Sequence, residues 1–304
     1  MGRRKRIVVG CRGDSLSIVH RARVYAALRE AHPHVELVDF REASTRKPDA
    51  RRAAASMLQR LGRGEIDVAV MDARWIPLQL AGTLEIAAVL ERTNPFDVLI
   101  SCEDLILDEQ PENTCIAAGE AVKRGQLLYY RSDLKIIEGD DDFEKLFASM
   151  NRGAINAFVF PASDVETLNQ QEHVVEVFTT SICTPVAGQG ALALIARREK
   201  KDVVSIIKDL NDHSAAAEVE LERMFLERIT KDGRGPVGVL GNVEENGFEI
   251  EAAIVSIDGS EKISGVMSGA IADRSRVIGK LAGELLAAGG EEIIASYRKL
   301  RGSV

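Results

Sequence analysis

Side chains capable of chemistry follow one short apolar run in this sequence. Asp72, Arg74 and Trp75 come directly after residues 66–71, and Pro77 ends the stretch. A carboxylate can move protons, a guanidinium can hold anionic groups, and an indole can form an apolar or stacking wall. The same stretch would also suit a salt-bridged loop with a half-buried Trp, and these residues alone leave both interpretations open.

The elements that must position this cluster alternate between strand and helix. Apolar and alternating runs predict strands, a cap at Asp14 or Ser15 predicts the start of a helix, and Gly62 and Gly64 end the next one. The predicted elements are strands at 7–10, 35–40 and 66–70, a helix after each of the first two strands, the second over 53–61, and an exposed polar loop over 44–52. This β-α-β-α-β order predicts a largely parallel sheet, whose strand ends present side chains to ligands.

A weak internal repeat extends this plan to a second region. Residues 62–70 and 151–159 both read as a helix that ends on Gly, followed by a buried strand that begins with Asp67 or its amide counterpart, Asn156. The long period predicts two α/β domains of similar design rather than a solenoid. Chain crossings near 92–95 and 184–190 would leave a hinged cleft between these domains.

The C-terminal third reads differently. A helix is predicted over 203–228, then strands at 237–240, 248–257 and 262–267, then an amphipathic helix over 274–288 that ends at Gly289 and Gly290. Consecutive strands joined by short Gly-containing turns are typical of an antiparallel sheet. We therefore predict a C-terminal α+β region.

Charge and cysteine usage exclude several classes of protein. A net charge of −8 argues against a general nucleic-acid binder. No apolar run approaches the length of a membrane span, and the N-terminus lacks the apolar core of a signal peptide. Four scattered cysteines without a C-x-x-C pair argue against a metal site and indicate reduced thiols. We expect a cytoplasmic monomer that binds neither nucleic acid nor membrane.

Four motifs together resemble the hydroxymethylbilane synthases, also called porphobilinogen deaminases. Pro185 with Gly-Gln-Gly-Ala at 188–191 is similar to that family's Pro-x-x-Gly-Gln-Gly-Ala hinge strand. Glu-Arg-Thr-Asn-Pro-Phe-Asp at 91–97 resembles its first crossing, and Gly-Pro-Val-Gly at 235–238 resembles the start of its third domain. Arg12, after the first strand, matches the Arg of its Ala-Thr-Arg start. The combination covers nearly the whole chain.

The resemblance implies a three-domain α/β protein. Two domains would resemble type II periplasmic binding proteins, and a C-terminal α+β domain with an antiparallel sheet would follow them. The implied boundaries are 1–96 plus about 197–219 for domain 1, 97–196 for domain 2 with hinge strands near 92–98 and 184–197, and 220–304 for domain 3. The active site would lie in the cleft between the first two domains.

The resemblance also implies a reaction, yet most of the residues that perform it are replaced. Enzymes of the family condense four porphobilinogen units into a linear tetrapyrrole, using an Asp, a Lys, several Arg and a dipyrromethane cofactor bonded to a Cys. Here the Lys aligns with Arg74, the catalytic Asp with Trp75, and the cofactor Cys with Gly233. The nearest carboxylate is Asp72. The positive charges that remain for carboxylate binding are Arg12, Arg74, Lys123 and Arg124.

Three hypotheses follow. In the first, the chain does not run the standard polymerisation, carries no covalent cofactor, and binds a small anionic ligand, such as a pyrrole carboxylate, in the interdomain cleft. Arg12, Arg74 and Lys123 would hold its anionic groups, and Trp75 would form a wall. In the second, an active synthase of tetrapyrrole biosynthesis uses Asp72 as its acid, and either a non-covalent primer or attachment of the dipyrromethane to Cys11 replaces the lost linkage. In the third, the fold is a non-catalytic regulatory scaffold, with acidic residues 138–144 as its interaction face.

Overall fold

The computed structural model describes residues 5–41, 50–230 and 232–302. Most of the predicted exposed loop, including Ser44 to Asp49, lies outside these residues. The chain forms two compact units, the first from Met1–Thr93 and Gly190–Ala216, the second from Asn94–Gln189 and Ala217–Val304. The division into three domains stays a prediction. Among the described residues, no helix combines the length and the apolar character that a membrane span requires.

The first unit is built on a five-stranded sheet. Its elements are β1 (Lys5–Cys11), α1 (Ser15–Ala31), β2 (Val35–Arg41), α2 (Ala50–Arg63), β3 (Val68–Asp72), β4 (Leu84–Val89), β10 (Leu192–Arg197) and α6 (Lys201–Lys208). The strand order is β2-β1-β3-β10-β4. β1 is parallel to β2 and β3, whereas β10 lies antiparallel between β3 and β4. Every residue of β3 and β10 is buried, which explains why both read as continuous apolar runs.

Local signals set the helix ends of this unit. Asp14 caps α1, because its carboxylate accepts hydrogen bonds from the Ser17 backbone N–H at 2.9 Å and the Ser17 hydroxyl at 3.0 Å. α2 begins three residues before the predicted start and continues through Gly62. It ends where Gly64 adopts a φ of +78°, a left-handed conformation that glycine accepts without strain.

The second unit contains a sheet of the same design. Its elements are β5 (Asp97–Ser101), β6 (Cys115–Ala118), α3 (Ala121–Tyr130), β7 (Lys135–Glu138), α4 (Phe143–Asn151), β8 (Ala157–Pro161), α5 (Ala162–Thr167) and β9 (Glu176–Val177). The order β7-β6-β8-β5-β9 reproduces the first sheet position by position. β6 is parallel to both neighbours, and β5 is antiparallel to both of its own. The prediction of two similar α/β sheets is confirmed.

The repeated sequence pattern produces one repeated set of backbone contacts. Asp67 accepts a hydrogen bond from the Val8 N–H at 3.0 Å, and its own N–H donates to the Val8 carbonyl at 2.8 Å. Asn156 makes the same two contacts with Cys115, at 3.1 and 2.8 Å. In each unit the side chain therefore fixes the strand that follows the Gly turn against its parallel neighbour, which is β1 in the first sheet and the strand that begins at Cys115 in the second.

An antiparallel sheet and three helices complete the second unit, to which the first of these helices contributes all but its first four residues. The elements are α7 (His213–Ile229), β11 (Val237–Glu244), β12 (Gly247–Val255), β13 (Lys262–Gly269), α8 (Arg274–Leu285) and α9 (Glu291–Gly302). Phe225, Ile250, Ile278 and Leu281 belong to the apolar core between this sheet and its helices. A Cβ on Gly238 would lie 2.4 Å from the Thr184 carbonyl oxygen, so β11 needs glycine at this point. The predicted α+β region is confirmed.

Two helix predictions were wrong in their extent. The helix predicted over 203–228 is interrupted between α6 and α7, because the side chains of Asn211 and Asp212 bind backbone N–H groups. Asn211 Oδ1 accepts from Val89 at 2.9 Å, and Asp212 Oδ1 accepts from Ala215 at 2.8 Å. The helix predicted over 274–288 becomes α8, a wide five-residue turn and then α9, with Gly289 at a φ of +117°.

Candidate functional site

The predicted chemical cluster lies where β3 ends, and its two charges are bonded to each other. β3 finishes at Asp72, and a short 3-10 helix, Ala73–Trp75, follows it. Asp72 accepts three hydrogen bonds from Arg74, one from its backbone N–H at 2.8 Å and two from its Nε and Nη2 at 2.9 and 2.7 Å. The side chains are 9% and 5% exposed, so this is a buried ion pair in which two guanidinium donors share the Oδ2 oxygen of Asp72.

This pairing restricts what either residue can do. A carboxylate that accepts two guanidinium hydrogen bonds must break them before it can take part in proton transfer. The Nε and Nη2 donors of Arg74 are in turn already bonded to Asp72. The catalytic role predicted for Asp72 and the ligand-binding role predicted for Arg74 both stay predictions, and each would require the pair to open.

Trp75 is half-buried and lies beside two guanidinium groups. The Cζ atoms of Arg74 and Arg51 each lie 5.4 Å from the centre of the indole ring, within cation–π distance. Arg51 stands in the first turn of α2, and sequence reasoning placed it in a loop rather than in the site. The signal that could have identified it is the basic pair at 51–52, directly before an Ala-rich helix.

Arg12 follows β1 and keeps more contact with solvent. Its Nε lies 3.0 Å from Asp14 Oδ2, and a quarter of its side chain is exposed. Together with Ser17, Met57 and Trp75 it lines a cavity of about 30 Å³, which is the space of one water molecule. Pockets for small organic ligands typically measure about 300–1,000 Å³. Within the first unit, a ligand at Arg12 would therefore bind on the surface of this cluster and not inside it.

A wider groove, of about 450 Å³, lies elsewhere in the first unit. It is lined by the second half of α1, the end of β4 and the end of α6, including Arg23, Glu30, Glu91 and Asp209. Arg23 Nη2 donates to the Glu91 carbonyl at 3.1 Å. Acidic side chains dominate its charged lining, so the groove does not suit the anionic ligand that the sequence predicts.

Lys123 lies in the interior of the second unit. Its side chain on α3 is buried, with Nζ 2.8 Å from Asp97, 3.0 Å from Glu120 and 3.0 Å from the Gln189 amide oxygen. Burial raises the pKa of Asp97, against the opposing effect of the Lys123 charge. Burial also raises the pKa of Cys183, whose Sγ lies 3.7 Å from Asp97 Oδ2. The predicted anion-binding role of Lys123 stays a prediction, because its ammonium group already pairs with the carboxylates of Asp97 and Glu120.

Arg124 faces backbone rather than an open site. Its Nη1 donates to the Gly119 carbonyl at 2.5 Å, so at least one of its donors is already in use. In the acidic segment 138–144, Asp140 pairs with Lys145 at 2.5 Å. The ligand-binding role of Arg124 and the interaction role of the acidic segment both stay predictions.

The cysteines and Gly233 define what could carry a covalent cofactor. Gly233 sits in a turn with a φ of +71°, where Asp232 accepts from the Arg234 N–H at 3.1 Å. Cys11 is buried at the end of β1, and burial raises its pKa, which reduces the thiolate that would attack an electrophile. Cys102 is exposed. Among the residues that the structure describes, no group of three or more metal-binding side chains converges.

Comparisons with known proteins agree with the sequence motifs. A family model described as porphobilinogen deaminase, dipyromethane cofactor binding domain, matches residues 7–205. The porphobilinogen deaminases of Desulforudis audaxviator and Rubrobacter xylanophilus are each 30% identical over 97% of this chain and 99% of theirs. That of Pelotomaculum thermopropionicum is 28% identical over 97% of this chain and 98% of its own.

A solved structure of the substrate binding domain of a putative molybdenum ABC transporter from Clostridium difficile is 14% identical. The match covers 69% of this chain and 93% of the transporter domain, with a TM-score of 0.46.

The family model and the full-length relatives, together with the hinge motif at 185–191 and the paired sheets, lead to one conclusion. This chain belongs to the porphobilinogen deaminase family.

Proposed function

We propose that this protein does not build a tetrapyrrole on a covalent primer and instead binds a small anionic ligand through Arg12, beside Trp75. One observation carries the proposal. Trp75 stands where the family resemblance expects the catalytic carboxylate, and the nearest carboxylate, Asp72, is held by three hydrogen bonds from Arg74.

The standard reaction needs two groups that this chain would have to supply by other means. A carboxylate must manage protons and stabilise the positive charge that develops on a pyrrole, which an indole cannot do. Moving Asp72 into that role would break its buried ion pair with Arg74, at a cost of about 2 kcal/mol. A primer bonded to sulfur needs a reactive thiol, and glycine occupies position 233.

The charges around Trp75 favour an anionic ligand with a flat apolar part. Arg12 has exposed surface, and Arg51 adds a second guanidinium beside the indole. Guanidinium groups hold carboxylates in a defined plane, and an indole edge or face accepts an apolar ring. A pyrrole that carries carboxylate side chains combines both features.

Incubation with porphobilinogen tests the catalytic part of the proposal. Intact-mass spectrometry should show the unmodified chain, and no tetrapyrrole should accumulate. The deaminase of Desulforudis audaxviator, treated in parallel, serves as the active control. A mass increase equal to a dipyrromethane, together with product, would show that the second hypothesis, an active synthase, is correct.

Thermal unfolding with and without porphobilinogen tests the binding part. A ligand that binds only the folded chain raises the melting temperature, and the rise grows with the logarithm of the ligand concentration once that concentration exceeds Kd. We expect this rise to be lost in Arg12→Gln and kept in Arg152→Gln, an exposed arginine on the second unit. No rise with porphobilinogen in the unaltered chain would contradict binding and favour the scaffold hypothesis.

A further inference from the structure

Asp72 holds the guanidinium of Arg74 in an arrangement that a free carboxylate could improve. Nε and Nη2 of Arg74 both donate to one oxygen, Oδ2, at 2.9 and 2.7 Å. The other oxygen, Oδ1, accepts the Arg74 backbone N–H at 2.8 Å and so caps the short helix Ala73–Trp75. A carboxylate without that second task can offer one oxygen to each donor, in two parallel hydrogen bonds, which adds energy and geometric specificity.

The Asp72 carboxylate also keeps a partner on each oxygen if the Arg74 side chain turns away. Asp72 lines, together with Arg12 and Arg74, the cavity of about 30 Å³ that has the space of one water molecule. A water in that cavity can donate to Oδ2, while the backbone N–H stays on Oδ1. The pair can therefore open without leaving a buried carboxylate oxygen unsatisfied, which is the most costly outcome.

Arg12 is held by the same device but more loosely. Asp14 caps α1 through the Ser17 N–H, and its Oδ2 lies 3.0 Å from Arg12 Nε. Both arginines of the cluster are thus paired with a capping aspartate two residues away. The Arg12 side chain is 26% exposed, whereas that of Arg74 is 5% exposed. An anionic ligand therefore meets Arg12 first, and reaches Arg74 only after Asp72 has released it.

We propose that Asp72 is an internal competitor of the ligand. Its carboxylate occupies Arg74 until a ligand carboxylate displaces it, and this competition lowers the affinity of the site. The inference rests on the proposed function, because it needs an anionic ligand already held at Arg12. It also defines the class of ligand as a molecule with two carboxylates, one for Arg12 and one for Arg74, since a neutral group cannot replace a carboxylate on a guanidinium.

The location of the pair favours competition over a purely structural role. It lies at the carboxyl end of β3, where sheets of this kind bind ligands. The pair joins residues only two positions apart, so its opening separates no elements of the fold. Asp67, just before the other end of β3, differs in both respects. It bonds the Val8 N–H and lies 3.4 Å from Arg197, a residue 130 positions away.

Calorimetric titration with porphobilinogen, which carries two carboxylates, tests the proposal. Asp72→Asn removes the competing charge and keeps a side-chain oxygen for the Arg74 backbone N–H. We expect Kd to fall about tenfold, because the charge-assisted bonds of Arg74 then go to the ligand alone. Without ligand, the same variant should unfold at a lower urea concentration, because it loses the ion pair. A purely structural role of Asp72 would not produce tighter binding together with lower stability.

Asp67→Asn is the matched control. It removes the same charge at the opposite end of β3, also beside an arginine, and should lower stability while leaving Kd unchanged. Asp72→Asn combined with Arg74→Gln should lose the tenfold gain, because the gain requires the released guanidinium. If Asp72→Asn does not fold, Asp72→Ser takes its place, since a serine hydroxyl can also cap the short helix.

The outcomes separate this inference from the proposed function. Measurable binding in the unaltered chain with no gain in Asp72→Asn would overturn the inference alone. An equal gain in Asp67→Asn would also overturn it, by showing that net charge is the cause. No binding in either the unaltered chain or Asp72→Asn would overturn the proposed function, and this inference with it. Binding in Asp72→Asn alone would support the inference and show that Asp72 keeps the ligand out of the unaltered chain.

Discussion

The two five-stranded sheets share a plan but handle buried charge differently. In the first sheet Asp67 caps the Val8 N–H and needs a counter-charge, which Arg197 supplies through Nη2 at 3.4 Å. In the second, the neutral amide of Asn156 performs the same capping without one. The backbone N–H at this position requires a side-chain oxygen as its acceptor, which either residue supplies. A carboxylate also brings a negative charge, which the Arg197 guanidinium balances.

The larger buried ion pairs differ in how much of the chain they hold together. Asp72 and Arg74 are two residues apart, so their pair organises a single loop at the end of β3. Lys123 joins α3 to Asp97 on β5 and, through Gln189, to the hinge motif. A buried ion pair therefore stabilises one loop in the first unit, whereas in the second unit it holds together segments that are far apart in the sequence.

The largest predicted effect comes from removing Lys123. Lys123→Met leaves Asp97 fully buried without its counter-charge, and we expect a loss of about 3–5 kcal/mol in the free energy of unfolding. Urea denaturation followed by circular dichroism measures it. Lys123→Met combined with Asp97→Asn removes both charges and should recover a large part of the loss. A double variant no more stable than the single one would show that the charge pair is not the cause.

The loop pair in the first unit should matter less. Asp72→Ala leaves Arg74 without its main partner, but a strand-end loop can move to hydrate the guanidinium. We expect about 2 kcal/mol, below the effect of Lys123→Met. The same urea titration compares the two variants directly. An equal or larger loss for Asp72→Ala would contradict the distinction between local and tertiary pairs.

Exchanging the capping residues tests the interpretation of the repeat. Asp67→Asn gives the first sheet the residue of the second, keeps the bond from Val8, and removes only the contact to Arg197. Arg197 retains its bonds to the Leu61 and Ile66 carbonyls, so we expect a loss of about 1 kcal/mol. Asp67→Ala removes the cap as well and should lose more, as measured by thermal unfolding. Equal losses in the two variants would show that capping is not what this position provides.

The smallest effect is expected at two ion pairs near the protein surface, one in each unit. A hydrogen bond from Lys5 lowers the pKa of Asp202, and one from Arg131 lowers the pKa of Asp133. An acid with a lowered folded-state pKa stabilises the protein above its ordinary pKa of 3.8, and this contribution is lost as pH falls through the lowered value. Asp133→Asn and Asp202→Asn should therefore melt slightly earlier than the unaltered chain at neutral pH and together with it in strong acid.

Much of the fold was accessible from the sequence because packing imposes periodic patterns. The apolar strands, the Gly turns at 64 and 153 and the Asp14 cap each depend on contacts within a few residues. The break between α6 and α7 was missed because Asn211 and Asp212 act through the backbone, against an otherwise helical pattern. The antiparallel position of β10 between β3 and β4 depends on long-range pairing that no local pattern encodes.

The site was less accessible, because residue type does not determine the partner of a charge. Arg74 was identified as a positive charge for a ligand, but the structure directs it onto Asp72. Lys123 was identified in the same way, although lysine is among the residues least often buried. Its burial depends on Asp97 and Gln189, which approach from distant parts of the sequence. Arg51 was missed because its proximity to Trp75 depends on where α2 begins.

The contact between Gly238 and the Thr184 carbonyl limits how this lineage can evolve. A methyl group at 238 would lie 2.4 Å from that oxygen, and a backbone carbonyl cannot rotate aside as a long side chain can. Members of the family should therefore keep glycine here whatever residues occupy their active sites. Glycine at this position would then report on the folding of β11 and not on the chemistry of the active site.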